Sequence, residues 1–231
     1  MFSKNKNIED LGSVLVFGGS FDPPHLGHKA LLEHVLKNIN VSKVIIIPCY
    51  IQPLKDKDFS SAEHRLAMSR IQFTLEKFAI GRSNYKDIEL LVSDHEIKRG
   101  GASYTVDTVK HFRNVYPGRK IIVLMGEDSF WDIEKWKDSS VLFGLCSMIV
   151  VTRPSNDKEN SSAKNVSSLF SYVEKIKHEY SCDVELIDDF QDPASSTLLR
   201  REISEGSDPK YLDGDVMEYI NKKNLYKGED V

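Results

Sequence analysis

Short apolar runs alternate with longer amphipathic stretches along this chain of 231 residues. Val14-Leu15-Val16-Phe17 and Val44-Ile45-Ile46-Ile47 are unbroken runs, and 88–92, 121–125, 148–151 and 184–187 repeat the pattern. Runs this short and continuous predict strands buried on both faces, as in a parallel sheet covered by helices. Between them apolar residues recur at helical spacing: Leu31, Leu32, Val35, Leu36 and Ile39, then Ala67, Ile71, Leu75 and Phe78. Val106, Val109 and Phe112 predict a helix over 105–116, stopped by Pro117-Gly118. A short helix is expected over 129–136, another around Val173 and Ile176, and two more over 196–204 and 216–223. The charged stretch 94–103 with Gly100-Gly101 reads as a loop, and Gly126-Glu127-Asp128 as an exit turn. The Ser/Asn/Lys-rich segment 154–168 reads as an exposed flexible loop. Strand–helix alternation predicts an α/β fold with a doubly wound, mainly parallel sheet. Neither a repeat nor a composition break divides it, so one domain over 1–231 is expected, with a small helical C-terminal appendage at 195–226.

Composition narrows the partners. Hydrophobic residues make up 40% and charged residues 29%, with a net charge of −4. These are ordinary globular values, and no block of like charge favours nucleic acid. Cys49, Cys146 and Cys182 are odd in number and lack metal-ligand spacing, so core thiols in a reducing compartment are expected. No apolar stretch suits a signal peptide or a membrane span, and a cytoplasmic protein follows as the expectation.

The first crossover carries the chemistry. Gly18-Gly19-Ser20-Phe21-Asp22-Pro23-Pro24-His25-Leu26-Gly27-His28 joins the first strand to the first helix. Two glycines let the backbone approach a ligand, and the prolines stiffen the loop. His25 and His28 share the first helical turn, where unpaired amides favour an anion. A tight turn with two structural histidines is the plainer alternative. Against it stands the position, the C-terminal end of a strand where open α/β sheets bind ligands. The stretch is neither a Walker A loop nor G-x-G-x-x-G. It resembles the H-x-G-H nucleotidylyltransferases, and within them the nicotinate-nucleotide adenylyltransferases, a resemblance that runs from Val14 to Tyr226.

That resemblance implies a Rossmann-like fold and a set of roles. His25 and His28 would be catalytic, with Gly18, Gly19, Ser20 and Phe21 binding nucleotide. Ala194-Ser195-Ser196-Thr197-Leu198-Leu199-Arg200 is a helix cap on its own terms. It is also similar to the family's I-S-S-T-x-[IL]-R, with Ala194 in place of isoleucine. Ser195, Ser196 and Thr197 would then bind the triphosphate, and Arg200 would reach its outer phosphates. Ser103-Tyr104-Thr105-Val106-Asp107-Thr108 is similar to S-Y-T-x-D-T, which implies that Thr105 receives the nicotinate carboxylate. Asp128 and Trp136 resemble the aspartate and stacking tryptophan of G-x-D…W, whereas a surface cap and core packing are their bland readings. Arg153 resembles an arginine on the adenosine side. Leu54 stands where the family often has a histidine, and Lys55 keeps a cation in that loop.

The implied reaction is adenylyl transfer from ATP to nicotinate mononucleotide, giving deamido-NAD and pyrophosphate. The motifs pair no serine or cysteine with a base, so direct transfer is expected. No carboxylate cluster suggests an all-protein metal site, so Mg²⁺ would arrive with ATP. ATP and a pyridine mononucleotide are the expected partners, without nucleic acid or membrane, and a homo-oligomer stays open. Alternatives are an H-x-G-H transferase using nicotinamide mononucleotide, pantetheine phosphate or a cytidylyl donor, or a catalytically silent nucleotide-binding regulator.

Overall fold

The computed structural model describes residues 12–53, 60–78, 88–152, 162–190 and 192–227. Among them, strands β1 (Val14–Gly19), β2 (Lys43–Pro48), β3 (Glu89–Val92), β4 (Ile121–Gly126), β5 (Ser147–Val151) and β6 (Val184–Ile187) form one parallel sheet. Its order is β3-β2-β1-β4-β5-β6. Strand order therefore reverses between β1 and β4, and their C-terminal ends open a crevice there.

The unbroken apolar runs follow from helices on both faces. Val14, Val16, Ile45, Ile47, Ile121, Val123, Met148 and Val150 face one core, and Leu15, Phe17, Val44, Ile46, Ile122, Leu124, Ile149 and Val151 the other. Alternate residues of a strand point to opposite faces, so every position must be apolar. Helices α1 (Leu26–Asn38) and α2 (Ala62–Gln72) lie early in the chain, and Leu32, Val35 and Leu36 of α1 cover the second face. The first face is covered by α4 (Thr105–Val115), which follows the short α3 (His95–Arg99), and by α5 (Glu127–Trp131), α6 (Ser139–Leu145) and α7 (Ser162–Tyr180). The last helices, α8 (Ser196–Ser204) and α9 (Gly214–Lys223), pack on α2 through a third cluster. It holds Met68, Leu199, Ile203, Leu212, Val216, Ile220 and Tyr226. No helix of the described residues is long and apolar enough to cross a membrane. All three cysteines are buried and free, and burial pushes the Cys182 thiol up to about 11 and Cys146 higher still.

Several expected elements are corrected. The helix marked by Ala67, Ile71, Leu75 and Phe78 begins earlier, behind the Ser61 cap, and ends at Gln72. Its buried stripe includes Arg65, Ser69 and Gln72, so polar residues mask its period. Phe73 turns inward against Phe21, ring centroids 5.4 Å apart, and Leu75–Lys77 is a separate 3-10 turn. The expected loop 94–103 contains α3. Gly126 ends β4 and α5 starts at once, so the exit turn is absent. The helix expected over 129–136 is split into α5 and the 3-10 turn Ile133–Lys135. Helix α6, too short to show a period, was not anticipated. The flexible loop expected over 154–168 is already helical from Ser162, while 154–161 lie outside the described residues.

Candidate active site

The β1–α1 loop makes the floor of the crevice. Phe21 has a φ of 52° and tucks its ring beneath Gly19, where an added Cβ would sit 3.1 Å from the ring. That ring also packs edge-on against Phe17 at 5.4 Å and His28 at 5.1 Å. His25 is the N-cap of α1, and His28 lies three residues on. The His28 amide donates to His25 Nδ1 at 3.3 Å, and the His25 amide donates to His28 Nδ1 at 3.2 Å. The two imidazoles form a reciprocal capping box, and their rings stack at 3.7 Å. Because each Nδ1 accepts, the ring proton belongs on Nε2, which makes Nε2–H the donor. The neutral Nε2–H tautomer is the form that caps the helix in this way.

The second motif reaches the same loop. Ser195 caps α8, accepting from the Leu198 amide at 3.2 Å. Ser196 Oγ donates to the Pro23 carbonyl at 3.0 Å, and Arg200 Nη1 to the Asp22 carbonyl at 2.8 Å. Arg200 Nη2 donates to Thr197 Oγ1 at 3.3 Å. Burial lowers the pKa of the Arg200 guanidinium, while Asp22 beside it raises it; an arginine stays charged regardless. Gly27 shows why the H-x-G-H pattern needs a glycine. A Cβ there would meet Asp192 Oδ1 at 2.5 Å and the Ala194 Cβ at 3.0 Å, in the approach to α8. Gly27→Ala should cost about 1–3 kcal/mol of stability by overpacking. Thermal denaturation checks this, and an unchanged melting temperature would contradict the close approach.

The opposite wall comes from α4 and the segment after α5. Tyr104 caps α4 without a side-chain bond, and Tyr104, Thr105 and Thr108 line the cleft. Asp107 holds Arg99 at 3.3 Å and Lys137 at 3.1 Å, and Lys137 Nζ lies 4.7 Å from the Tyr104 ring. Trp136 packs on the core, and its buried Nε1 has no hydrogen-bond partner among the described residues. Asp128 is exposed in the first turn of α5. All these walls enclose one cleft of about 590 Å³. Gly18, Gly19, Ser20, Phe21, His25, His28, Thr105, Asp128, Trp136, Ser195, Ser196, Thr197 and Arg200 all line it. Lys55, Leu54 and Arg153 lie outside the described residues.

Sequence reasoning missed the residues that hold the walls together. Arg65 is 1% exposed and donates to four carbonyls: Ser20 at 3.0 Å, Cys49 at 2.6 Å, Tyr50 at 2.8 Å and Ser60 at 3.3 Å. It ties the exits of β1 and β2 to α2. Glu96, buried on α3, lines the cleft and accepts from Thr108 Oγ1. Ser103 is used structurally: its Oγ accepts from the Tyr50 amide at 2.9 Å. The resemblance of 103–108 to S-Y-T-x-D-T pointed to this wall but not to Glu96 or to the structural use of Ser103, and nothing marked Arg65 as buried.

A crevice at the β1/β4 switch point, ringed by helix starts, a paired histidine cap and a buried arginine, belongs to a Rossmann-like fold of the nucleotidyltransferase class. The comparisons agree. The family model described as "Cytidylyltransferase-like" matches residues 16–202. A "Probable nicotinate-nucleotide adenylyltransferase" of Aquifex aeolicus is 39% identical over 60% of this chain and 76% of its own. One of the same name from Chlorobium limicola is 34% identical over 93% of this chain and 98% of its own. The solved "Plasmodium falciparum nicotinic acid mononucleotide adenylyltransferase complexed with NaAD" superposes with a TM-score of 0.67 at 20% identity, covering 93% of this chain and 97% of that one. The chain belongs to the cytidylyltransferase-like family, on its nicotinate-nucleotide adenylyltransferase branch.

Proposed function

We propose that the chain transfers the adenylyl group of ATP to nicotinate mononucleotide, releasing pyrophosphate and forming deamido-NAD. The supporting observation is that the histidine cap of α1, Arg200 of α8 and the α4–Trp136 wall line one cleft. The relatives of Aquifex aeolicus and Chlorobium limicola carry the name of this activity.

A phosphate oxygen of the mononucleotide attacks the α-phosphorus in line, and the bond from that phosphorus to the bridging oxygen breaks as pyrophosphate leaves. His25 and His28 donate through Nε2–H to phosphate oxygens whose charge grows in the transition state. Arg200 and the first amides of α8 hold the leaving pyrophosphate. Phe21, packed beneath the loop, keeps the Gly18-Gly19 backbone against the nucleotide. Trp136 stacks on the pyridine ring, and the α4 amides at Thr105 receive its carboxylate. Asp128 helps place the dinucleotide. Lys55 and Arg153 are assigned to the substrate and adenosine sides by resemblance alone. Among the described residues no group of three or more His, Cys, Asp or Glu is placed to hold a metal. Mg²⁺ arriving with ATP would supply charge neutralisation on the triphosphate, and no residue of this chain is assigned to hold it. Three buried free thiols suit a reducing cytosol.

Substrate choice tests the reading. A wall of N–H donors suits a carboxylate, whereas an amide NH₂ would leave buried groups unpaired at about 1–3 kcal/mol each. The acid should be preferred by roughly tenfold to a hundredfold in kcat/KM. Turnover of nicotinate and nicotinamide mononucleotides side by side with ATP checks it, and equality or amide preference would reject it. Trp136→Ala should slow both substrates by about tenfold through lost stacking; a change in neither would return Trp136 to a packing role.

A further inference from the structure

Asp22 lies between Phe21 and the two prolines, is 4% exposed, and is the point where distant parts of the chain meet. Ser60, ahead of α2, donates Oγ to Asp22 Oδ1 at 2.5 Å and its amide to Oδ2 at 3.3 Å. Tyr226, beyond α9, donates its hydroxyl to the same Oδ1 at 2.6 Å. Arg200 takes the Asp22 carbonyl, and Ser196 the next one along. Arg65 holds Ser60 itself through the Ser60 carbonyl.

We infer that Tyr226 and Ser60 are positioning residues for the triphosphate side of the cleft, acting through Asp22 on Arg200. Tyr226 is 4% exposed, and its ring fills the third cluster against Leu212, Ile220 and neighbours. A phenylalanine would fill that space equally well; the hydroxyl instead contacts Asp22, Ser60 Oγ at 3.2 Å and Met68 Sδ at 3.9 Å. Burial, and the Asp22 carboxylate beside it, push the phenol pKa far above its ordinary value. It therefore stays protonated and donates throughout the working range. Its partner carboxylate is the negative charge beside the buried Arg200 guanidinium. Two hydroxyls fix the carboxylate, the carboxylate fixes its own peptide, Arg200 attaches to that peptide and Ser196 to the next one. Loss of either hydroxyl removes one of the bonds that hold the Asp22 carboxylate in place, and displacement of a positioning group by about 1 Å is enough to cost affinity and rate. The inference rests on the assignment of Arg200 to the triphosphate.

Tyr226→Phe, Ser60→Ala and the double variant test it, with two readouts: steady-state kinetics for each substrate, and calorimetric binding of ATP without acceptor. Each single variant should raise the KM for ATP and weaken ATP binding by about tenfold, the size of one lost hydrogen bond to a charged group. The KM for the mononucleotide should not move. The double variant should lose less than the product of the singles, because both act through one carboxylate. A lower melting temperature with unchanged ATP binding and KM would overturn the inference, as would a loss confined to the mononucleotide. Should Tyr226→Phe fail to fold, Ser60→Ala carries the same test without touching the C-terminal segment. A wild-type protein that ignores nicotinate mononucleotide would sink the proposed function, while the ATP titration still decides this inference.

Discussion

His28→Ala should slow adenylyl transfer by about a hundredfold or more, the measured scale for removing one preorganised donor to transition-state charge. The loss should fall on kcat, with ATP binding little altered, because the donor matters most when charge accumulates on the phosphate. The capping geometry permits a finer separation. The Nδ1 of His28 caps the helix by accepting from the His25 amide, while Nε2 is the donor assigned to substrate. His28→Asn keeps an acceptor near the first position and has no donor at the second. It should melt like the wild type yet be as slow as the alanine variant. His28→Gln places an amide N–H farther out and should recover part of the rate. Near-normal turnover by a folded His28→Asn would remove the catalytic assignment and leave only a cap.

Arg200→Lys should lower kcat/KM for ATP by roughly a hundredfold, two lost charge-assisted bonds at about 1.5–3 kcal/mol each being enough. The guanidinium already spends one nitrogen on the Asp22 carbonyl and another on Thr197. Only a fork with several fixed N–H groups can hold those anchors and still face a phosphate. An ammonium has three donors on a single atom and lacks the spread to hold both anchors and a phosphate together. Initial rates against ATP at saturating mononucleotide read the effect. A change confined to the mononucleotide KM would move Arg200 to the other side of the cleft.

The sheet was legible because burial on both faces forces unbroken apolar runs, and all six appear as strands of one sheet. The β1–α1 loop and the start of α8 were legible for another reason. Glycine, proline, histidine and hydroxyl residues at fixed offsets are chemically distinctive, and each of these short signatures stands beside an apolar element. What stayed hidden was hidden by ambiguity. Arg65 looks like any solvated arginine in the chain, and only its four carbonyl partners reveal it as a buried tie. Helices α3 and α6 are too short to display a period. Trp136 was expected inside a helix and stands just past a 3-10 turn, since Ile133 alone in that turn is fully buried. Glu96 and Tyr226 carry no local mark, because their partners lie 12 and 204 positions away.

The bonding of α8 to the Asp22-Pro23 peptide has a consequence for how the molecule is made. Synthesis proceeds from the N-terminus, and early segments begin to fold while later ones are still being added. The ribosome therefore delivers Asp22 and its loop first and Arg200 178 positions later. A nascent chain that has completed β1 through β5 owns half a cleft and lacks the residues proposed to hold the triphosphate. Activity should thus switch on late and abruptly during translation, rather than grow as the sheet widens.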